Sequence, residues 1–198
     1  MPSVRTMESM SSSLLSVNLT HHFLVAMPTL VDQNFGGTVV YLAEHTERGA
    51  LGLVINRTME LNMRSLFERI ELKLSDPELG AAPVHYGGPV QPDRGFVLHA
   101  PIGSWGHTIN VCDEVGLTSS KDVLEAVARD EGPDRLMVAL GYSQWGPGQL
   151  ENELSRNSWL TVPADSAVIF DAPVEQRSSR AFGILGINPA FLVAAGRA

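Results

Sequence analysis

Segments with the pattern of strands alternate along the chain with segments that have the periodicity of helices, and several strand-like segments are only a few residues apart. A parallel connection between neighbouring strands needs a crossover of about a dozen residues or more, whereas antiparallel strands can be joined by a tight turn. The short links therefore require antiparallel pairs, and the interleaved helices favour an α/β fold with a mixed sheet. Because no repeat or linker follows residue 19, we predict one domain of residues 19–198 after a disordered extension of residues 1–18.

The strand-like segments are short, rich in β-branched and aromatic residues, and bounded by Gly or Pro. Arg135–Leu140 is almost continuously apolar, which predicts a central strand that is covered on both faces. Gly37–Ala43 and Leu51–Ile55 are joined by the polar residues 44–48 and predict a hairpin. Further strands are predicted at His22–Ala26, Pro83–Tyr86, Gly95–His99, His107–Cys112, Trp159–Val162 and Ala167–Phe170.

Helices are predicted where apolar residues recur at helical spacing. Met63–Ile70 is the clearest case, because Asn62 precedes it as an N-cap residue. Ser119–Asp122 resembles a capping box and predicts the start of a second helix. Two more helices are predicted, one beginning at Pro147 after a turn at Gly141–Gly146 and one after Pro173 that is interrupted at Asn188–Pro189.

Composition predicts a soluble, compact domain and disfavours nucleic acid as a direct partner. Hydrophobic residues make up 44% of the 198 positions, which is typical of a globular chain. The 14 basic and 22 acidic residues give a formal charge of −8, which repels a phosphate backbone unless the basic residues cluster on one face. The sequence has no such basic cluster, so direct nucleic-acid binding is not expected.

The single cysteine and the distribution of apolar residues predict the compartment. Cys112 has no second cysteine with which to form an intrachain disulfide, and a reducing cytoplasm fits this usage. The first eighteen residues lack the uninterrupted apolar stretch of a signal peptide. No stretch reaches the roughly 18 apolar residues of a membrane span. We therefore expect a cytoplasmic protein without a membrane partner.

The segment Gly87-Gly88-Pro89 raises the question of a ligand loop. A phosphate-binding Walker loop needs a Lys followed by Ser or Thr, and a dinucleotide loop opens a helix. This segment has no Lys and precedes a predicted strand, which favours a structural turn over a phosphate site. A different ligand remains open at this point.

Ser143 lies between an apolar strand and a predicted helix, as does the nucleophile of an α/β-hydrolase. Trp145, however, stands where the G-x-S-x-G motif has its second Gly, and no His follows His107 along the chain. The hydrolase motif therefore fails, and a serine nucleophile on another scaffold stays as an alternative.

The six histidines give a weak indication of metal. None has the i, i+4 spacing of a helical zinc site, although His85 and His99 could meet across neighbouring strands. Hydrogen-bonded structural histidines are the favoured interpretation, and no metal or cofactor is predicted. Among the acidic residues, Glu153 lies within one turn of Gln149 and Asn157 and predicts a solvated polar face rather than a catalytic one.

Four motifs taken together resemble the AlgH/YqgE family of bacterial proteins, over the chain from about Leu19 to the C-terminus. They are Thr20–Pro28, Gly52–Arg57, Gly87–Val90, and Gly141–Glu151 with Asn157–Trp159. The resemblance implies a single α/β domain with a mixed, bifurcated sheet that includes a small barrel-like part and is surrounded by helices. The family is named for transcriptional regulation, and the resemblance implies no catalytic residue and no cofactor.

The positions that match the family's motifs supply the candidate binding residues. They are Asn56, Arg57, Gly87, Gly88, Pro89, Tyr142, Trp145, Gly146, Pro147, Gly148, Gln149, Glu153 and Trp159. Gly146 and Gly148 permit close backbone approach, and the aromatic rings offer flat apolar area. The leading hypothesis is a non-enzymatic cytoplasmic protein that binds an unknown protein partner or small molecule at these loops. Two alternatives remain: the loops only stabilise the fold, or the protein is a hydrolase that uses Ser143 or a His85/His99 site.

Overall fold

A computed structural model describes residues 17–195, so the predicted N-terminal extension lies outside the described residues as far as residue 16. The strands in this range are β1 (His22–Ala26), β2 (Val39–Thr46), β3 (Gly49–Val54), β4 (Thr58–Asn62), β5 (Pro83–Tyr86), β6 (Val90–Ala100), β7 (Thr108–Asn110), β8 (Gly116–Thr118), β9 (Arg135–Trp145) and β10 (Trp159–Pro163). The helices are α1 (Met63–Arg69), α2 (Pro77–Ala81), α3 (Asp122–Ala128), α4 (Gln149–Ser155), α5 (Ser166–Phe170), α6 (Arg177–Ile184) and α7 (Pro189–Ala195), with a 3-10 turn at Val174–Gln176. None of the helices in residues 17–195 combines the length and apolarity that crossing a bilayer requires.

The strands form one branched sheet, and β9 is its branch point. The main path runs β10-β1-β2-β3-β9-β6-β8-β7. The end of β9 pairs with β3, while its first half pairs antiparallel with β6 on one side and parallel with β5 on the other. β4 then pairs with β5. The predicted α/β fold with a mixed, bifurcated sheet, a curled barrel-like part and surrounding helices is confirmed.

The core lies on both faces of this sheet. On one face, Phe23, Tyr41 and Leu98 pack in a cluster that includes Phe182 from α6. The opposite face carries two clusters, one under α4 around Trp145 and Trp159, and one under α1 and α3 around Phe67. Burying a side chain as large as Phe67 contributes about 2–3 kcal/mol, which offsets part of the entropy lost when the chain is ordered around β9.

Two predicted local structures are wrong at the ends of β9 and α4. The strand does not turn at Gly141, because Ser143 and Trp145 continue the ladder by pairing with Gly52 and Ala50 of β3. Gly141, with φ +75°, lies where the pairing of β9 with β6 shifts its register. The following helix begins at Gln149 rather than Pro147.

Two further predictions are wrong because side chains bond to the backbone near the helix ends in ways that the sequence pattern does not indicate. Ala167–Phe170 lies in helix α5 rather than in a strand, because the Asp165 carboxylate accepts a hydrogen bond from the Ala167 N–H at 2.9 Å and starts the helix there. The capping box at Ser119–Asp122 does not form. The Asp122 carboxylate instead accepts from the Ser120 hydroxyl and the Gly106 N–H.

Candidate functional site

The loop of residues 28–38, between β1 and β2, is the point on which several motif residues converge, and we call it the motif-held loop. The Arg57 guanidinium donates to the backbone oxygens of Asn34 at 2.7 Å and Gly36 at 2.6 Å. Asn56 accepts from the Val39 N–H at 2.8 Å and donates to the Gly37 oxygen at 3.0 Å. These bonds satisfy backbone groups of an irregular segment that has no sheet partner for them.

Tyr86 connects the segment of residues 85–90, which we call the HYGGPV segment, to the same loop. Its hydroxyl donates to Asn34 Oδ1 at 3.3 Å from the end of β5. Partial burial raises the pKa of Tyr86 above its ordinary value, while the charge of Arg57 opposes this shift. The Asp32 carboxylate also accepts from the N–H groups of Asn34 and Phe35, which closes the turn from within.

An aromatic cluster holds the motif-held loop against the sheet. The Phe35 ring lies 5.9 Å from Trp145 and 5.7 Å from Trp159, and the two indoles are 6.1 Å apart. Both indole N–H groups donate to the same oxygen of Glu153, at 2.9 and 2.8 Å. The Gln149 amide donates to the other oxygen of Glu153 at 3.3 Å. The Glu153 carboxylate therefore fixes the orientation of both Trp rings on which Phe35 packs.

Replacing Glu153 by Leu removes the acceptor of both indole N–H groups. Because Trp145 and Trp159 are buried, the loss is expected to lower the free energy of unfolding by roughly 2–3 kcal/mol and to change the tryptophan fluorescence. Urea unfolding followed by fluorescence measures both effects. Asn152→Ala on the exposed face of the same helix is the control and should change neither by more than about 0.5 kcal/mol. A Glu153→Leu protein as stable as the control would contradict the assigned role.

Arg57→Met keeps the length of the side chain and removes the donors to the motif-held loop. We expect the free energy of unfolding to fall by about 1–2 kcal/mol, because the bonds are charge-assisted but only partly buried. Thermal unfolding measures the change, with Arg48→Met at an exposed turn as the matched control. Equal melting temperatures for the two variants would show that Arg57 does not hold the loop.

The glycine pair of the HYGGPV segment packs against β9. The Gly87 oxygen accepts from the Val54 N–H at 2.8 Å and from the Ser143 hydroxyl at 3.1 Å. A Cβ on Gly88 would lie 2.3 Å from the backbone of Tyr142. The predicted interpretation as a structural turn fits these contacts, and Pro89 alone in this segment is exposed.

Within the described residues, Ser143 forms no hydrogen bond with either of the candidate histidines, His85 and His99. The Ser143 side chain is fully buried and its hydroxyl is engaged by Gly87. His85 is in register with Ala139 of β9, whereas His99 is in register with Leu136. Residues three positions apart on a strand face opposite sides of a sheet, so the two imidazoles are kept apart.

Each of the two histidines has its own partners. His99 Nε2 bonds the Thr118 hydroxyl at 2.7 Å, and His85 Nε2 lies 3.0 Å from Nη1 of Arg177. These separate partners do not support the less favoured interpretation of His85 and His99 as a metal pair. Within the described residues, no group of three His, Cys, Asp or Glu side chains is arranged to hold a metal ion.

The buried pair of Arg177 and His85 is a feature that sequence reasoning missed. Arg177 is 6% exposed, and its Nη1 donates to the Ile55 oxygen at 2.6 Å as well as to His85. Burial, together with the charge of Arg177, lowers the pKa of His85 to about 4, while a backbone contact at Val138 acts in the opposite direction. In the sequence, Arg177 is one of several dispersed basic residues, and no pattern indicates that its side chain is buried.

The structure thus brings some predicted site residues together and separates others. Asn56, Arg57, Trp145, Glu153 and Trp159 converge on the motif-held loop. The segment 146–149 is exposed beside them, and the Gly146 N–H donates to the Gln149 side chain at 3.0 Å. Gly87, Gly88 and Tyr142 belong instead to the packing around β9. Phe35, the centre of the aromatic cluster, was not predicted, because a single aromatic residue in a polar loop gives no periodic signal.

A family model described as AlgH-like (DUF179) matches residues 23–190. A UPF0301 protein of Variovorax paradoxus is 56% identical, with 90% of this chain and 94% of that protein covered. A UPF0301 protein of Ralstonia nicotianae is 54% identical, with 92% and 96% covered.

Solved structures agree with the sequence comparison. The solution structure of the AlgH protein from Pseudomonas aeruginosa is 47% identical in sequence, with a TM-score of 0.77 over 90% of this chain and 95% of that chain. A crystal structure of a Corynebacterium diphtheriae protein, 16% identical, shares the fold with a TM-score of 0.69 over 88% and 91%. The resemblance predicted from the four motifs is confirmed, and the chain belongs to the AlgH-like family.

Proposed function

We propose that this protein is a non-enzymatic binding protein that presents the motif-held loop to a protein partner. The observation that carries the proposal is the contrast between the base and the tip of this loop. Arg57, Asn56 and the aromatic cluster fix its base, while the Val31 side chain at its tip is 95% exposed. A binding loop that is already ordered loses less conformational entropy when a partner docks, which favours recognition at such a place.

Charge supports a partner with a positive surface. The chain carries a formal charge of −8, and Asp32 is exposed beside Val31. Opposite charge accelerates encounter and excludes partners of like charge, including nucleic acid. A regulatory role would therefore run through a protein partner that Val31 contacts, without direct DNA binding.

The hydrolase alternative has less support. Acyl transfer needs a nucleophile within reach of a general base and a substrate. The Ser143 hydroxyl is buried against a carbonyl oxygen, and neither His85 nor His99 is among its hydrogen-bond partners in the described residues. Binding through the motif-held loop requires no rearrangement of these groups.

The test is quantitative capture of partners with the full chain immobilised. Wild type, Val31→Ser and the control Leu185→Ser are compared, because Leu185 is also exposed but lies just after α6. Lysate of the source organism is passed over each, and bound proteins are quantified by mass spectrometry. We expect at least one partner to be retained by wild type and by Leu185→Ser and reduced at least tenfold by Val31→Ser. Identical sets of bound proteins for wild type and Val31→Ser would overturn the proposal.

Direct DNA binding is tested separately by fluorescence anisotropy of a labelled random duplex at increasing salt. A protein that neutralises several phosphates loses affinity steeply as salt rises. We expect no binding at low salt, and hence no such loss.

A further inference from the structure

We propose that the cavity beside Arg177 and His85 is a binding site for a small carboxylate with an apolar body. The proposal does not depend on the motif-held loop, which lies elsewhere on the chain. The cavity has a volume of about 230 Å³, and its lining includes Met63, His85, Leu136, Met137, Pro173 and Arg177. Two of the twelve lining residues, Arg177 and His85, carry ionisable side chains, so any charge selectivity of the cavity rests with them.

Arg177 carries a buried positive charge without a carboxylate partner among the described residues. Its Nε donates to the Ala172 oxygen at 3.1 Å, and its Nη1 donates to the Ile55 oxygen and to His85. Neither Asp nor Glu lines the cavity, and Glu175, whose charge opposes the effect of burial on the pKa of Arg177, is exposed. Burial lowers the pKa of Arg177 to about 10, which leaves it protonated at neutral pH. Buried charges are normally paired, so the charge of the Arg177 guanidinium favours the binding of an anion.

The free donors of the site can be identified from the hydrogen bonds. Nε and Nη1 of Arg177 are engaged, whereas Nη2 has no partner in the described part of the chain and is not among its fully enclosed polar atoms. A guanidinium can only donate, so His85 Nε2 must accept from it and the proton of the neutral imidazole lies on Nδ1. His85 Nδ1 is enclosed and lacks a hydrogen-bond partner. The donor that the cavity offers to a ligand is therefore Nη2 of Arg177, because the enclosed Nδ1 of His85 is out of reach.

The walls and the volume restrict the rest of the ligand. Met63, Leu136, Met137 and Pro173 offer apolar contact, which a phosphate or sulfate ion would leave unused. A volume of 230 Å³ corresponds to roughly eight water-sized groups, and a carboxylate with a short hydrocarbon body has about that size. Hydrogen bonds from Arg to a carboxylate are charge-assisted and strong in such an environment.

The experiment titrates the ¹⁵N-labelled full chain with hexanoate, hexanol and inorganic phosphate and follows amide shifts by NMR. We expect hexanoate to shift the amides of His85, Ala172 and Val174, and to bind at least tenfold more tightly than hexanol. Phosphate should leave these amides unchanged. Absence of hexanoate binding up to its solubility, equal affinity for hexanol, or stronger binding of phosphate would each overturn the proposal.

Two variants locate the site. Ala82→Leu fills the cavity without changing Arg177 and should weaken hexanoate binding at least tenfold while the spectrum stays folded. Arg177→Met removes the charge and should abolish the preference for hexanoate over hexanol, provided that its spectrum shows a folded chain. Val31→Ser, in the motif-held loop, is the control and should bind hexanoate as wild type does. Unchanged hexanoate affinity in Ala82→Leu would place the binding elsewhere and contradict the assignment.

Discussion

Gly88→Ala is expected to lower the free energy of unfolding by about 3–5 kcal/mol, the largest effect of any single substitution considered. Gly88 has φ +153°, a conformation that L-residues rarely adopt. An added Cβ would lie 2.3 Å from the Tyr142 backbone and 2.5 Å from the Ser143 hydroxyl. Because β9 is paired on both sides at this point, the Tyr142 backbone cannot move away without breaking strand pairing, and rotating the Ser143 hydroxyl would break its bond to the Gly87 oxygen. Urea unfolding measures the loss of unfolding free energy. In the most severe case, the variant does not accumulate as folded protein.

Gly148→Ala is the matched control for this prediction. Gly148 has φ +74°, but nothing lies within 4 Å of the position that its Cβ would take. Only the strain of the left-handed conformation remains, which costs about 1–2 kcal/mol. A Gly88→Ala protein no less stable than Gly148→Ala would show that the HYGGPV segment is not packed against β9 as described.

Stability is expected to fall by about 3 kcal/mol between pH 6.5 and pH 4 through His85 alone. The folded pKa of His85, about 4, lies below the ordinary value of 6.5, because burial and the neighbouring Arg177 charge disfavour the imidazolium. Between these two pH values the unfolded chain binds a proton that the folded chain does not. The contribution is therefore fully present above pH 6.5 and is lost progressively as the pH falls toward 4.

Urea unfolding at a series of pH values measures this slope. Burial also lowers the pKa of His21 and His99, so the wild-type slope includes their contributions. His85→Gln keeps a hydrogen-bond acceptor for Arg177 and should remove only the contribution of His85 to the slope of stability against pH. His107→Gln, at an exposed position, should leave the slope unchanged. Equal slopes for wild type and His85→Gln would mean that His85 is not buried beside a positive charge.

The sequence predicts the fold best where periodicity and turn chemistry agree. The apolar run Arg135–Leu140 predicts the central strand, and Asn62 predicts the start of α1, where its side chain accepts from the Ser65 N–H. Ala167–Phe170 is too short for its apolar residues to distinguish a strand from a helix, and the cap at Asp165 decides the outcome. The extension of β9 past Gly141 depends on pairing with β3, which no local pattern contains.

The site is less predictable than the fold because its contacts are long-range. Motif residues such as Arg57 and Trp145 could be named from the family resemblance, but the sequence does not indicate that they face inward toward one loop. Phe35 and Arg177 have no motif, and their roles depend on groups such as Glu153, Ile55 and His85 that are distant in the chain. Burial of a single polar residue is set by tertiary packing and leaves no periodic trace.

Amide hydrogen exchange of the wild-type protein tests the central claim, that the motif residues hold the loop of residues 28–38 rigidly for recognition. The N–H groups of Phe35, Gly36 and Thr38 donate within the loop, at 3.0, 2.8 and 3.0 Å. We expect these three amides to exchange at least about a hundredfold more slowly than an unprotected chain, and the amide of exposed Val31 to exchange freely. Exchange of Phe35, Gly36 and Thr38 at unprotected rates would contradict the account, because a loop that opens freely cannot be a preformed recognition surface.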